Sequence, residues 1–537
     1  MSDTAYPYPL LIRQLLHSPL ATAPQQEIVY RDRRHDYREF ERRLGRLANV
    51  LAGYGVGPGT TVAVLDWDSH RYLEAFFAVP MMGAVLQTVN VRLPAEQVLY
   101  TLDHAGAETI LVHGDFVPLL ASLRDRLPRV RTYILIEDDA PDGVAALPFA
   151  GEYEALLAAA PADFPFPDFD ESTRATTFYT TGTTGLPKGV HFSHRQIVLH
   201  TLAAALAYTA APAAGRLHRG DVYLPLTPMF HVHAWGLPYI ATLLGLKQVY
   251  PGRYQPEHLL NLIAAEGVTF SHCVPTVMQM LLSSPDSERV DLSRWKVVIG
   301  GSALPGGLAA AALARGIDVF AGYGMSETGP LLTLARVPDE GGDALAARSR
   351  TGYPVPLVEL RTVDADFADT PRDGKTPGEI VARAPWLTAS YSGNAQATRE
   401  LWAGGYLHTG DIGTLDPDGC LRITDRLKDV IKSGGEWISS LEVENLLSRH
   451  PAVAEAAVIG FPDPHWGERP YALVVLRPGG QVDPEELRRL VREAAASGSV
   501  SRYAVPERID FVSELPRTSV GKLDKKRLRT QTPADGE

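Results

Sequence analysis

The sequence predicts a large α/β body built on mainly parallel sheets, a β-rich subdomain after it, and a small α+β unit at the C-terminal end. Three observations carry this expectation. Helical and strand-like periodicities alternate up to about residue 330, strands without intervening helices follow after about residue 350, and well-capped amphipathic helices return between strands in the last stretch. Phe40, Leu44, Leu47, Ala48 and Leu51 share one helical face, and Gly53 closes that helix. TVAVLDWD (61–68) reads as a buried strand, followed by helical 70–82, strand-like 84–90, helical 94–105 and strand-like 109–114. Parallel strands need such crossover helices, which also cover both faces of the sheet.

The rhythm resumes after residue 220. QPEHLLNLIAAEG (255–267) has Pro256 in its first turn and Gly267 at its end, and VTFSHCVP, KVVIGG and DVFAGYG make three strands. Between the halves, AAAPADFPFPDFD (158–170) carries three prolines and reads as a surface connection or a domain boundary. The α/β subdomains are therefore expected at about 1–160 and 171–350, and the β-rich one at about 351–424, with strands LVELRTVD, GEIVARA and GCLRITD. In the last unit, Ser439 stands three residues before Glu442 as a capping box, and Asp483, Pro484 and Glu486 open a second helix. Strands at 453–460 and 470–477 separate them, and DRLKDVIKSGG (425–435) forms the junction.

Composition excludes several classes. A chain of 537 residues suits three or four compact units, and 45% apolar residues with 47 Gly and 41 Pro rule out a disordered or fibrous protein. The formal charge of −12, without a long Lys/Arg block, argues against nucleic-acid partners or an anionic membrane surface. Two cysteines, Cys273 and Cys420, build neither a disulfide framework nor a four-Cys metal site. The start, MSDTAYPYPLLIRQLL, lacks the order of a secretion signal, and the apolar stretches 74–91 and 236–246 are interrupted or too short to be an integral membrane segment. A cytoplasmic chain is expected.

Four segments carry chemistry. In TTFYTTGTTGLPKGVHFSH (176–194), Thr180, Thr181, Gly182, Thr183, Thr184, Gly185 and Lys188 lie between two strands. Glycines and small hydroxyl residues let backbone N–H groups approach phosphate oxygens, and a lysine adds charge, so the loop reads as a phosphate cradle. It lacks the Walker spacing, since Lys188 is followed by Gly189 and a strand. AGYGMSETGP (321–330) leaves a buried strand, where open sheets bind ligands. There Tyr323 offers a flat face, Gly322 and Gly324 close approach, and Glu327 with Thr328 a magnesium and phosphate contact. In YLHTGDIGTLDPDGCLRITDRLKDVIKSGGEWIS (406–439), Asp411 is read on a tight turn, placed to accept two ribose hydroxyls, and Arg426, Lys428 and Lys432 add cations. In LPRTSVGKLDKKRLR (515–529), Lys522 follows Gly521 on a loop.

These four segments, in this order, resemble the adenylate-forming superfamily of acyl-CoA synthetases, adenylation domains of peptide synthetases and luciferases. The resemblance implies an N-terminal domain over 1–427 and a mobile C-terminal domain over 428–537. It also implies ATP, Mg2+ and coenzyme A, and a reaction in which a carboxylate and MgATP give an acyl-adenylate and pyrophosphate before the acyl group passes to a thiol. Carried over by residue, Thr183 or Thr184 and Glu327 sit near magnesium, Thr328 reaches the α-phosphate, and Gly301, Ser302, Ala303 and Tyr323 frame adenine. Asp411 holds the ribose, Lys428 is the hinge and Lys522 the adenylation lysine. Rotation about Lys428 brings Lys432, Ser433, Gly434, Gly435, Glu436 and Trp437 to the coenzyme A side.

LPLTPMFHVHAWGLP (224–238) places Phe230, His231, Val232 and Trp235 where the family shapes its acyl site, with Met325 beside them; His231 is a catalytic candidate there. The motif resembles fatty acyl-CoA synthetases, and KSGGEWISS resembles the medium- and long-chain group and relatives acting on methylthio-alkanoates. His231 and His233 lack a third ligand at metal spacing, so zinc is rejected. With no evident charged partner between 225 and 305, the expected substrate is an apolar carboxylic acid of medium to long chain. A short, methylthio or aryl acid, an amine acceptor, a luciferase-like oxidation and a non-catalytic adenylate sensor are the alternatives. Homodimerisation rests on the resemblance alone.

Overall fold

The computed structural model describes residues 6–138, 147–180, 186–210, 215–337, 344–433, 436–497, 500–518 and 523–531, excluding the side chain of Trp437. Thr181, Gly182, Thr183, Thr184, Gly185, Gly434, Gly435 and Lys522 lie outside the described residues.

The expected α/β body is there, with two large sheets. In one, seven strands run in the order Phe149–Glu152, Thr132–Ile136, Ala107–His113, Thr61–Leu65, Val85–Thr88, Arg174–Tyr179, Gly189–Ser193. All pair in parallel except the last two, which form the antiparallel arms of the phosphate-loop hairpin. The other sheet has nine strands, with parallel pairing from Asp318–Gly324 across to Glu27–Tyr30 and antiparallel strands at both edges.

The two subdomains interleave along the chain. Strands on both sides of the proline-bearing 158–170 segment share the seven-stranded sheet, so that segment is a connection within it. Asn49 fastens it to the first long helix, Tyr37–Gly53, by donating to the carbonyls of Pro161 and Asp163. Conversely, the N-terminal hairpin 27–36 pairs with Lys247–Tyr250 of the nine-stranded sheet. Such long-range pairing has no local sequence signal.

Helices from both sheets meet in a common core. Each of the twelve residues of helix His70–Met81 is buried. Its Phe76 stacks on Tyr239 of helix Leu237–Leu244 at 5.4 Å, and the Tyr239 hydroxyl donates to the Phe76 carbonyl. A buried ionic cluster sits at the N-terminal end of this layer. Arg43 Nε lies 2.6 Å from Glu74 Oε1, and its NH1 lies 3.0 Å from Glu154. Tyr153 donates to Glu74, Arg71 reaches Glu154 and Asp138, and Tyr30 donates to Asp138. Tyr30 belongs to the nine-stranded sheet and Tyr153 follows Phe149–Glu152, an edge strand of the seven-stranded one, so the cluster ties the two together.

The β-rich part is an antiparallel five-stranded sheet of 359–426. It was expected to be free of helix but is not: Asn394 caps a short helix, Ala395–Leu401, by accepting from Ala397 N. Two turns are too short to show a periodicity. The last sheet has its own core around Val443, Val458, Val474 and Leu487. Ser439 and Asp483 cap the helices Ser440–Leu447 and Pro484–Ala496 as anticipated.

Arg43→Ala leaves the buried Glu74 carboxylate without its guanidinium partner and is expected to lower stability by about 3–5 kcal/mol. Arg126→Ala, which breaks an ion pair with Glu96 whose members are 54% and 70% exposed, is expected to change it by under about 1 kcal/mol. Urea unfolding of the two variants checks this, and equal losses would contradict it.

Candidate functional site

The motif residues converge at the C-terminal ends of the nine-stranded sheet's strands and the neighbouring five-stranded sheet. Tyr323, on the buried strand Asp318–Gly324, donates its hydroxyl to Asp411 Oδ2 at 2.8 Å, and Arg426 Nε lies 3.5 Å from Asp411 Oδ1. Asp411 was expected on a tight turn; it lies instead within the strand Tyr406–Leu415, as the register partner of Arg426. The glycine signal that suggested a turn is a kink, since Gly410 has φ 67° inside that strand. Burial, and then the Asp411 charge, push the Tyr323 hydroxyl far above its usual range, so it stays protonated as a donor. One Asp411 oxygen is thus engaged by tyrosine and the other faces a guanidinium.

A second group surrounds Glu327, which is buried in a short turn after that strand. Tyr391 donates to Glu327 Oε1 at 2.5 Å, and Lys188 Nζ sits 4.7 Å above the Tyr391 ring. Burial and the adjacent carboxylate hold the Tyr391 hydroxyl protonated. Thr388 N donates to the Glu327 carbonyl and Trp386 Nε1 to that of Thr328. Ser392 N donates to Gly189 O, and Thr180 N to Lys188 O at the closing end of the phosphate hairpin. The Thr328 hydroxyl, placed at the α-phosphate by the sequence, donates within its own turn to the carbonyls of Met325 and Pro330. Gly324 is required there, because a Cβ would lie 1.8 Å from the Pro330 oxygen. A hard carboxylate oxygen beside a lysine fits a magnesium ion carrying phosphates, which typically takes one or two protein carboxylates and keeps its remaining sites for phosphate and water. Glu327 would supply that ligand; its expected partner Thr184 is outside the described residues.

The residues expected to shape the acyl site lie on or beside an unusual turn. Val232, His233, Ala234, Trp235 and Gly236 have φ of 48°, 53°, 47°, 59° and 73°. Left-handed backbone costs a non-glycine residue roughly 1–2 kcal/mol, so four in succession persist only where the surroundings enforce them. Trp235 shows the enforcement. Its ring fills the space beside Gly300, where a Cβ would lie 2.9 Å from Trp235 Cη2 and 3.1 Å from the Gly322 oxygen. Gly300 precedes Gly301, Ser302 and Ala303, so the tryptophan abuts the backbone that leads into the segment expected to frame adenine. Ser302 and Ala303 are exposed at this edge. Phe230 is buried, its carbonyl accepting from Thr88; Val232 is buried, and His231 and Met325 are half-buried.

Lys428 is exposed at the junction, and Lys432, Ser433 and Glu436 form the hairpin Ile431–Ser433/Glu436–Ile438 of the last sheet. Lys432 N donates to Glu468, and Ser501 donates to Glu436. Asp425, just before the junction, accepts from Ser440 N and Oγ, and Lys525 donates to Ser440 and lies 2.7 Å from Glu444. Sequence reasoning missed Tyr391, Gly300 and this brace. Tyr391 carries no motif of its own, and its role depends on packing between segments some 60 residues apart.

Residues 17–392 match the model of the AMP-binding enzyme family, and 442–522 match that of the AMP-binding enzyme C-terminal domain. The chain is 43% identical over 511 residues to a long-chain-fatty-acid–CoA ligase of Thermus thermophilus, covering 93% of this chain and 90% of that one. It is 38% identical to a 3-methylmercaptopropionyl-CoA ligase of Ruegeria lacuscaerulensis, covering 97% of both. Among solved structures it resembles an anthranilate CoA ligase in complex with anthranoyl-AMP, with TM-score 0.85, 26% identity and coverage of 97% and 98%.

Tyr391→Phe removes a hydrogen bond to a charged group, which typically contributes about 1.5–3 kcal/mol. Affinity for MgATP by calorimetry is expected to fall at least about tenfold, with a smaller loss for ATP in chelator. Equal losses would mean that Tyr391 acts through Lys188 alone.

Proposed function

The chain belongs to the AMP-binding enzyme family, and on that premise we propose that it is an ATP-dependent acyl-CoA synthetase for a carboxylic acid with an uncharged tail, a medium- to long-chain fatty acid. The observation that carries this reading is the set of three elements around the end of strand Asp318–Gly324 and its neighbour: the Tyr323–Asp411–Arg426 group, the Lys188–Tyr391–Glu327 group, and the Trp235 turn, whose ring packs on Gly300. The first suits a ribose, whose hydroxyls are donors that a carboxylate accepts. The second suits phosphates. The third shapes a slot beside them for an acyl chain, and the relatives' names support coenzyme A as acceptor. No helix among the described residues is long and apolar enough to cross a membrane, in keeping with a small-molecule substrate met in water.

In the first step a carboxylate oxygen attacks the α-phosphorus, the bond to the β-phosphate breaks, and pyrophosphate leaves. Magnesium, when bound, neutralises charge on the phosphates. Lys188 adds a cation there, Glu327 is held in place by Tyr391, and Asp411 fixes the ribose so that the α-phosphorus is presented to the acid. Lys522, carried by the C-terminal domain over 428–537, would cover the reacting oxygens and stabilise charge that peaks in the transition state. In the second step the thiol sulfur attacks the acyl carbonyl carbon and the bond to AMP breaks. The group covering that carbonyl must leave first, so a turn about Lys428 would exchange Lys522 for the 432–437 hairpin, a lid-type motion. His231, half-buried at the start of the Trp235 turn, would take part beside the acyl carbonyl.

The test is product analysis with ATP, coenzyme A and straight-chain acids of three to sixteen carbons, with methylthio- and aryl-acids alongside. AMP and acyl-CoA are expected in equal amounts, at the highest rate with medium or long chains. ADP as product, or no acid-dependent AMP from any acid, would contradict the reading. Lys522→Ala is expected to slow adenylation about 10²–10³-fold while still converting a supplied acyl-adenylate to thioester. Equal loss of both half-reactions would overturn the division of labour.

A further inference from the structure

The buried carboxylate of Asp68 holds the entry to the Trp235 turn. Asp68 lies shortly after strand Thr61–Leu65 of the seven-stranded sheet and is 3% exposed. Its Oδ1 accepts from Met229 N at 2.8 Å, and its Oδ2 accepts from the Tyr254 hydroxyl at 2.6 Å. The Asp68 carbonyl accepts from Gly252 N, so its backbone is pinned as well. One residue on from Met229, the Phe230 carbonyl accepts from Thr88 Oγ1 at 3.0 Å, and Thr88 ends the neighbouring strand Val85–Thr88. Side chains from two adjacent strand ends of one sheet thus grip successive residues of a segment that follows Val222–Pro225 of the other sheet. The gripped residues stand directly before His231 and the left-handed turn 232–235.

A charge at Asp68 is costly. It forms no ion pair with a described residue; Arg92, 5.9 Å from the centre of the Phe230 ring and 6.0 Å from that of Tyr254, attracts it without pairing. The other titratable groups that face it are Asp66 and the phenols Tyr72, Tyr223, Tyr250 and Tyr254, none of them a cation. Burial pushes its carboxyl up to about 7, and the bonds from Met229 and Tyr254 and the pull of Arg92 oppose this only in part. A carboxyl raised in the fold above its ordinary value of about 4 detracts from stability as pH climbs from that value through about 7, because the fold disfavours its charged form. An asparagine of the same shape escapes that cost, so stability alone gives no reason for a carboxylate here. What the charge adds is grip, since hydrogen bonds to an ionised acceptor are roughly twice as strong as neutral ones. The backbone bond it strengthens is the one to Met229, at the entry to four left-handed residues that persist only where their surroundings enforce them.

We propose that Asp68 and Thr88 are positioning residues of the acyl site, holding the backbone of Met229 and Phe230 so that His231 and Trp235 keep their places against the bound acid. The inference rests on the acyl-CoA synthetase reading above, in which 230–235 shape the acyl slot. Asp68 acts through the Met229 amide and Thr88 through the Phe230 carbonyl.

The test measures AMP release with a straight-chain acid that the wild-type enzyme uses. It compares Asp68→Asn, which keeps the shape and loses the charge, with Thr88→Val, which loses only the hydroxyl. At about pH 8 each is expected to raise KM for the acid at least about fivefold and to leave KM for ATP within about twofold. Urea unfolding at the same pH is expected to find Asp68→Asn at least as stable as the wild type. The ratio of acid KM values, Asp68→Asn over wild type, is expected to fall toward one as pH drops from about 8 to about 6, because a protonated Asp68 is as neutral as the asparagine. An acid KM within about twofold of wild type in either variant overturns the assignment of that residue, and a ratio independent of pH overturns the role of the Asp68 charge. Both results leave the synthetase reading intact. An Asp68→Asn enzyme that loses stability and weakens for ATP and acid alike shows a structural residue and overturns the inference as well. Absence of acid-dependent AMP from the wild-type enzyme with every acid overturns the synthetase reading, and this inference with it.

Discussion

The hydrogen bond from Tyr391 to Glu327 holds together the part of the molecule on which everything else at the site depends. It is short, at 2.5 Å, and it links a turn of the nine-stranded sheet's edge to the segment that closes over the phosphate hairpin. The same tyrosine carries Lys188 over its ring, its neighbour Ser392 donates to Gly189, and Trp386 and Thr388 fix the backbone of 327–328. A carboxylate and an ammonium that must meet one polyanion are thereby positioned by a neutral phenol between them, instead of collapsing onto each other as an ion pair. The −12 balance of the chain says nothing of this, since a handful of cations at one cleft is invisible in a sum over 537 residues.

The second constraint is strain. Four consecutive non-glycine residues hold left-handed backbone to present Trp235 against Gly300. The turn is enforced by aromatic packing around His233 and by the absence of a side chain on Gly300, which the indole faces. The proposed acyl slot and nucleotide wall therefore adjoin: Gly300 packs against the tryptophan and leads directly into Gly301. A shift of the acyl chain against the indole would be felt by the groups that frame the nucleotide.

What could be read from the sequence was local. Ser439 and Asp483 cap helices where their side chains reach backbone N–H groups two or three residues on, and Gly267 ends a helix in left-handed backbone, so start and stop signals served well. The phosphate hairpin arms fell at 174–179 and 189–193, around the expected loop. Long-range pairing was not legible: nothing in residues 27–36 announces a partner at 247–250, and so the sequential subdivision became two interleaved sheets. Asp411 was mislocated because a glycine beside it reads as a turn, whereas Gly410 kinks a continuous strand. The left-handed turn was hidden for the opposite reason, since Val-His-Ala-Trp contains none of the residues that usually adopt that backbone. Tyr391 was missed because its function lies in what packs against it.

The central claim is that this architecture joins a carboxylate to AMP before any thiol is involved. Exchange of labelled pyrophosphate into ATP, measured without coenzyme A, tests it most directly. The account predicts exchange that requires both magnesium and a suitable acid and that stops when the acid is withheld. Exchange independent of acid, or none with any acid while ATP is cleaved to ADP and phosphate, would contradict it.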